Sequence, residues 1–359
     1  MRATVALGRA CDGACVFCAQ DGLTPDASPD DVVDARLVGA RASGADAVTF
    51  VGGEPAADAR LEGYVRRARS LGFARVGVQT NGRALSVGER VEALARAGVT
   101  DLHLSLHGAE APVHDWHAGG TGAFDASMRT MALARAAGLD VVVATVLTRS
   151  SFRVLAPIPR LLASRGAAGW CVEVPRWRGR AATAADRIVP RLALALPFAL
   201  HALDAAASLG LPAFVRGAPA CLLGPFASRT LDASGGTERR AYAPVCDGCA
   251  ARAACAGVEA EYLARFGAGE LTARAAADGA SGERETRDAV VRAMFVGVGE
   301  LAPPVDAATI PAPPERARVV LPVLGRPAPA RAEATAGAAK QTGEALREIL
   351  PGLFREKGS

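Results

Sequence analysis

The chain is almost without lysine and asparagine. Of its 41 basic residues only Lys340 and Lys357 are lysines, and Asn81 is the sole asparagine. With Ala, Arg and Gly dominating, this skew reads as coding bias, so the arginine excess alone does not argue for anion binding. Aromatic residues are also few, 5% of 359 residues, and the net charge is only +4. A nucleic-acid surface wants a basic patch interleaved with aromatics, and none is seen. Long hydrophobic runs are missing. The longest, Leu192 to Leu203, contains Pro197 and His201 and is too short to span a bilayer. Arg2 to Leu7 is too short for a signal-peptide core. Eight cysteines without a secretory signal suggest a reducing compartment, where thiols serve metals rather than disulfides. A cytoplasmic protein is expected, with no membrane and no nucleic acid as partners. At 50% apolar and 22% charged residues the composition is that of a globular protein long enough for two or three domains.

Short β-branched runs alternate with longer Ala/Leu/Arg stretches. Strands are expected at Thr4–Leu7, Val48–Val51, Val76–Gln79, Leu102–Leu106, Val141–Leu147 and Trp170–Val174. Helices are expected from Pro29, capped by Ser28, to about Ser43, then over Asp58–Ser70, Gly88–Ala97, Phe124–Ala137 and Val154–Ser164. Six βα units in about 175 residues give an α/β fold with a parallel sheet and outer helices. A closed eight-unit barrel typically needs ~250 residues, so an open, partial (βα)6 barrel fits better. Its chemistry is expected at the C-terminal strand ends. Residues 190–209 read as helical, 210–257 as turn-rich with four cysteines, and 258–298 as helical again. From Leu301 the composition turns Pro/Ala-rich, with a linker at 302–316, one strand at Arg318–Leu324 and one helix at Lys340–Leu350. Three parts are expected: a barrel over 1–185, a cysteine-rich region with helices over 186–300, and an extension over 301–359.

The strongest signal is Cys11-x3-Cys15-x2-Cys18. Three thiolates can hold an iron–sulfur cluster and leave one iron open, whereas a closed structural site wants four ligands. Taken alone, three cysteines are also compatible with zinc. Three further segments follow at strand ends: Gly52-Gly53-Glu54-Pro55, Gln79-Thr80-Asn81-Gly82 and Leu104-Ser105-Leu106-His107-Gly108. Taken in this order, the segments resemble the radical S-adenosylmethionine (radical SAM) superfamily over about residues 4–175, with Phe17 as the aromatic before the last cysteine. The resemblance implies a 4Fe–4S cluster on Cys11, Cys15 and Cys18 that binds SAM. It further implies that Gly52, Gly53, Glu54 and Pro55 hold the amino group of SAM's methionine. Glycines let backbone carbonyls approach, and Glu54 supplies the negative partner for the ammonium. Thr80, Asn81 and Ser105 fall where the ribose and carboxylate would lie. His103 and His107 are expected to be structural or rim histidines. His114 and His117 stand at i, i+3, but the glycines at 119, 120 and 122 argue for a loop rather than a metal-binding helix face.

A second set, Cys246-x2-Cys249-x5-Cys255 with Cys221 upstream, resembles the C-terminal auxiliary-cluster region, SPASM or twitch, of many radical SAM enzymes. Glu259 stands where a further cysteine often follows. Four cysteines imply one auxiliary 4Fe–4S cluster, and a structural zinc is the alternative. The eighth cysteine, Cys171, shares a strand face with Glu173 by period-two alternation. Cys171 is a candidate hydrogen donor and Glu173 a candidate substrate ligand. The plainer expectation for Cys171 is a small buried hydrophobe.

The resemblance implies reductive cleavage of SAM to a 5′-deoxyadenosyl radical that takes hydrogen from a substrate, with flavodoxin or ferredoxin as reductant. The auxiliary region favours a peptide or protein substrate. The chain starts just before the cysteine loop, so that reading calls for a separate recognition protein. A small-molecule biosynthetic enzyme is the alternative, RNA modification ranks third, and a non-catalytic electron carrier is the non-enzymatic reading.

Overall fold

The computed structural model describes residues 1–20, 26–231, 240–275 and 286–295. All of them lie in one compact unit, Met1–Val305. The linker, strand and helix expected beyond residue 301 lie outside the described residues.

Strands β1 (Arg2–Ala6), β2 (Ala47–Val51), β3 (Arg75–Thr80), β4 (Asp101–Ser105), β5 (Asp140–Val146), β6 (Gly169–Glu173) and β7 (Ala213–Arg216) form one sheet in sequence order. Every neighbouring pair is parallel. Among the described residues, β1 and β7 do not pair with each other and stand at the two ends of the strand order, so the sheet is an open partial barrel. All six expected strands are present. The seventh falls in the stretch read as turn-rich, because Ala213-Phe-Val-Arg is only four residues long and lies just after Gly210 and Pro212.

Helices α1 (Asp30–Ala42), α2 (Leu61–Ser70), α3 (Gly88–Ala97), α4 (Ala111–Ala118), α5 (Ala123–Ala136) and α6 (Ile158–Ser164) join the first six strands. Short α7 (Gly179–Thr183) and α8 (Ala185–Ile188) precede the long α9 (Leu192–Ser208). A small hairpin of β8 (Arg240–Ala241) and β9 (Val258–Glu259) frames the second cysteine set. Then come α10 (Ala260–Phe266) and α11 (Thr286–Phe295). The helical stretch expected over 258–298 is therefore two separate helices, broken after Phe266 at Gly267, whose φ is +71°.

Two details of the expected helices change. Pro29, not Ser28, is the N-cap of α1, and no side chain caps it. Ser28 instead latches the returning chain to the end of β1, its amide donating to the Leu7 carbonyl at 2.7 Å and its hydroxyl to Ala6 at 3.4 Å. His114 and His117 lie on helix α4, not in a loop. Gly119, read as a loop residue, is the left-handed C-cap of that helix (φ 72°, ψ 34°), and Pro112 sits in its first turn.

The sheet carries a core on each face. The larger lies beneath the helices and includes Val48, Phe50, Val78, Leu104, Val143, Trp170 and Val215. The other comprises Val142, Cys171, Phe214 and Leu231 with Val291, Met294 and Phe295 of α11. Strand alternation thus puts Cys171 and Glu173 on the face away from the outer helices. Also on that side is a buried ionic knot. Asp101 accepts from Arg2 through both oxygens, at 2.8 and 3.2 Å, and contacts His103 Nε2 at 2.9 Å. Gly77 makes room for it: a Cβ there would stand 2.6 Å from an Asp101 oxygen and 2.7 Å from Arg2.

Candidate active site

The cysteine loop follows β1 and is held from three sides. From the β2 end, the amide of Gly53 donates to the Gly8 carbonyl at 3.0 Å and that of Glu54 to Ala10 at 2.8 Å. From α4, Ala14 and Val16 donate to the carbonyls of Ala118 and His117 at 3.3 and 3.0 Å. From the loop after β6, the Arg180 amide donates to Cys18 and its guanidinium to Cys15, both at 2.9 Å. Gly53 permits the first contact. A Cβ there would stand 2.0 Å from the Ala10 carbonyl, a backbone atom with no rotamer to escape into. Gly53→Ala is expected to displace the loop and lower iron retained after anaerobic reconstitution by more than half. Iron per chain, measured beside circular dichroism, checks it, and full iron loading would refute the tight packing.

Glu54 is buried, and both carboxylate oxygens are occupied. Oε1 accepts from Ala56 N at 3.0 Å and Oε2 from Asn81 N at 2.6 Å. Burial pushes its carboxyl up to about 7, against the pull of those hydrogen bonds. Asn81 Nδ2 reaches back to Asp12 Oδ1 at 2.7 Å, between Cys11 and Cys15. Cys15, Asn81 and Ser105 line one pocket with Gly13, Arg83, His107 and His114. Pro55 opens a short 3-10 turn next to Glu54. Phe17 packs edge-on against His107, ring centres 4.6 Å apart.

The three cysteines are close enough to disfavour joint ionisation. Burial, then Cys18 and Cys11, pushes the Cys15 thiol up to about 12. Burial also raises Cys11, whose sulfur accepts the Gly13 amide at 3.3 Å. A bound cationic cluster would reverse that cost. Among the described residues, no three His, Cys, Asp or Glu gather tightly enough to hold one metal ion. The donor chemistry, three soft thiols on one loop with Cys15 in the pocket faced by Asn81 and Arg83, fits a cluster.

The histidines are structural. His114 Nδ1 accepts the His107 amide at 3.0 Å, His107 Nδ1 accepts the Val146 amide at 3.3 Å, and His117 Nδ1 donates to the Val113 carbonyl at 2.6 Å. Burial lowers all three and brings His114 to about 4. They are neutral at pH 7 and brace the cysteine loop. Groups neutral when folded lend stability above their unfolded value near 6.5 and lose it as pH falls below. Unfolding free energy is therefore expected to drop by about 1–3 kcal/mol from pH 7 to pH 5. Denaturant titration at both values checks this, and a flat profile would refute it.

The second cysteine set also converges. Cys221, Cys246, Cys249 and Cys255 line one cavity. Backbone amides aim at the sulfurs: Arg274 N at Cys249 (3.3 Å), and Ala220 N and Gly257 N at Cys255 (3.4 Å each). Glu259, standing where the auxiliary pattern often has a cysteine, accepts the Trp177 amide at 2.7 Å and ties this region to the loop after β6. Cys171 is fully buried in its apolar cluster. Glu173 accepts from Arg216 at 2.7 Å. Sequence reading missed the bracing by α4, Asp12, Arg180 and Glu259. Only α4 carried a local signal, Pro112 and Gly119.

An open parallel barrel with a three-cysteine loop at its C-terminal strand ends defines the class. Residues 5–150 match the Radical SAM superfamily. It is 29% identical to the AdoMet-dependent heme synthase of Oleidesulfovibrio alaskensis over 184 residues, 50% of this chain and 47% of the relative. It is 36% identical to the PqqA peptide cyclase of Methylocella silvestris over 116 residues, 32% of this chain and 31% of the relative. The chain thus spans about half the length of the heme synthase it matches. Among solved structures, Streptococcus suis SuiB bound to its precursor peptide SuiA shares the fold, with TM-score 0.51 and 18% identity over 60% of this chain and 48% of SuiB. The family implies a 4Fe–4S cluster and SAM, and its members named here are enzymes. Among the described residues no helix is long and apolar enough to cross a membrane.

Proposed function

We propose that this chain is a cytoplasmic radical SAM enzyme that removes hydrogen from a peptide or protein substrate. The observation that carries the reading is the convergence of Cys15, Asn81 and Ser105 on one pocket, with Glu54 hydrogen-bonded to Asn81. Cys11, Cys15 and Cys18 would hold the 4Fe–4S cluster. When bound, cluster and SAM supply one-electron cleavage of the sulfonium and a 5′-deoxyadenosyl radical. The chain's own work is to hold and to shield. Gly52, Gly53, Glu54 and Pro55 bind the methionine amino end, Thr80, Asn81 and Ser105 orient the ribose and carboxylate, and Phe17 with the α4 histidines closes the apolar side. Cys221, Cys246, Cys249 and Cys255 would hold an auxiliary 4Fe–4S cluster. A structural zinc on the same four thiolates is the alternative.

The auxiliary site and the PqqA cyclase relative support a peptide substrate, which would be brought by a separate recognition protein, with flavodoxin or ferredoxin as reductant. The longer match to the heme synthase supports a second reading, a small biosynthetic substrate. After anaerobic reconstitution the wild type is expected to hold about eight irons, and Cys11/Cys15/Cys18→Ala about four. Only the wild type should form 5′-deoxyadenosine from SAM and dithionite. No product from a fully loaded wild type would sink the enzymatic reading, and four irons with one zinc would make the second site structural.

A further inference from the structure

The loop after β6 carries Arg176, Arg178 and Arg180 within five residues. Arg180 is committed to the cysteine loop. Arg176 is not committed. It is half-buried, and among the described residues its guanidinium has no hydrogen-bond or ion-pair partner. Burial holds it below the usual arginine range, with Arg216 and Arg178 adding repulsion. The two carboxylates whose fields reach it are both engaged, Glu173 with Arg216 at 2.7 Å and Glu259 with the Trp177 amide at 2.7 Å. The Arg178 Nε is buried and also lacks a hydrogen-bond partner among the described residues. A half-buried guanidinium with no direct hydrogen-bond or ion-pair partner among the described residues keeps its donors available to an anionic ligand. The strand face leading to this loop is closed by α11, with Cys171, Phe214 and Phe295 buried against one another, and it ends in the Glu173–Arg216 pair.

We propose that Arg176, beside Arg178 and the Glu173–Arg216 pair, forms a subsite for an anionic group on the substrate, a carboxylate or a phosphate. The inference rests on the hydrogen-abstraction reading and adds the chemistry of what is held. A guanidinium fork matches either anion through two parallel N–H donors. Glu173, neutralised by Arg216, orders that wall without repelling the ligand.

The test uses the full chain, reconstituted and saturated with SAM. Calorimetry would compare N-acetyl-L-phenylalanine with its uncharged amide and with phenyl phosphate. The acid is expected to bind at least tenfold tighter than the amide. Arg176→Gln is expected to bring the acid down to the amide's level, and Arg176→Lys, which keeps charge but not the fork, to fall between. Tighter binding of phenyl phosphate would keep the subsite and assign it to a phosphoryl group. Equal binding of acid and amide, or none of either, overturns the proposal. So does a tenfold loss of SAM affinity in Arg176→Gln, which would assign the arginine to SAM. Cleavage of SAM by the wild type, assayed in parallel, separates the failures: its absence would sink the underlying reading, whereas cleavage without anion preference would sink only this subsite.

Discussion

Glu54→Gln is expected to weaken SAM binding at least tenfold at pH 8, with the protein still folded. The substitution keeps the shape of the side chain and an acceptor for Asn81 N or Ala56 N, but removes the buried negative charge. A hydrogen bond to a charged partner is worth about 1.5–3 kcal/mol, or roughly 10–150-fold in affinity. The pH dependence gives a sharper signature. Burial raises the Glu54 carboxyl to about 7, and only the carboxylate can pair with an ammonium. SAM affinity should therefore fall about tenfold per pH unit below 7 in the wild type and stay flat in Glu54→Gln. For the free protein the sign is opposite. A raised carboxyl favours the protonated fold, so its contribution to stability is present near pH 4 and lost as pH rises through 7. SAM should then stabilise the protein more at pH 8 than at pH 6. Thermal shifts and equilibrium dialysis across this range would decide, and parallel pH profiles for both proteins would remove Glu54 from the amino-group site.

Asp101→Ala is expected to cost about 3–5 kcal/mol of stability, the scale for breaking a buried ion pair. The side chains of Asp101 and Arg2 are 0% and 2% exposed. Removing the carboxylate strands the Arg2 guanidinium and frees His103, Thr100 and Arg75, which all contact it. Burial alone would raise the Asp101 carboxyl, but His103 and Arg2 hold it well below the usual carboxylate range. Its contribution is thus present at every pH above about 4 and is lost only in strong acid. Domains commonly have 5–15 kcal/mol in total, so the variant should be marginal at 37 °C. Urea unfolding should show a lower midpoint at unchanged slope. A loss under 1 kcal/mol would mean that water reaches Arg2 and that the knot is not dry.

Much of this protein was set by local sequence. The alternation of β-branched runs with helical stretches determined the parallel sheet, because a strand buried on both faces must be apolar and its crossover must be a helix. The three-cysteine spacing, the Gly52–Pro55 segment and the sole asparagine marked the site, since a metal thiolate set and close backbone approach each demand particular residues at particular offsets. Other features exist only in three dimensions. Four-residue β7 becomes a strand through pairing with β6, not through its own propensity. The α4 histidines become braces because the cysteine loop docks on the end of their helix. Asp101, an ordinary acid in sequence, is buried because Arg2 lies 99 residues away along the chain but 2.8 Å away across the barrel. Glu259 finds the Trp177 amide 82 residues upstream. Arg176, one arginine among many in a biased composition, stands out only once the fold half-buries it with no direct hydrogen-bond or ion-pair partner among the described residues. Chemistry fixed by residue type and spacing is written along the chain. Burial and charge pairing depend on what distant segments bring together, and only the fold decides that.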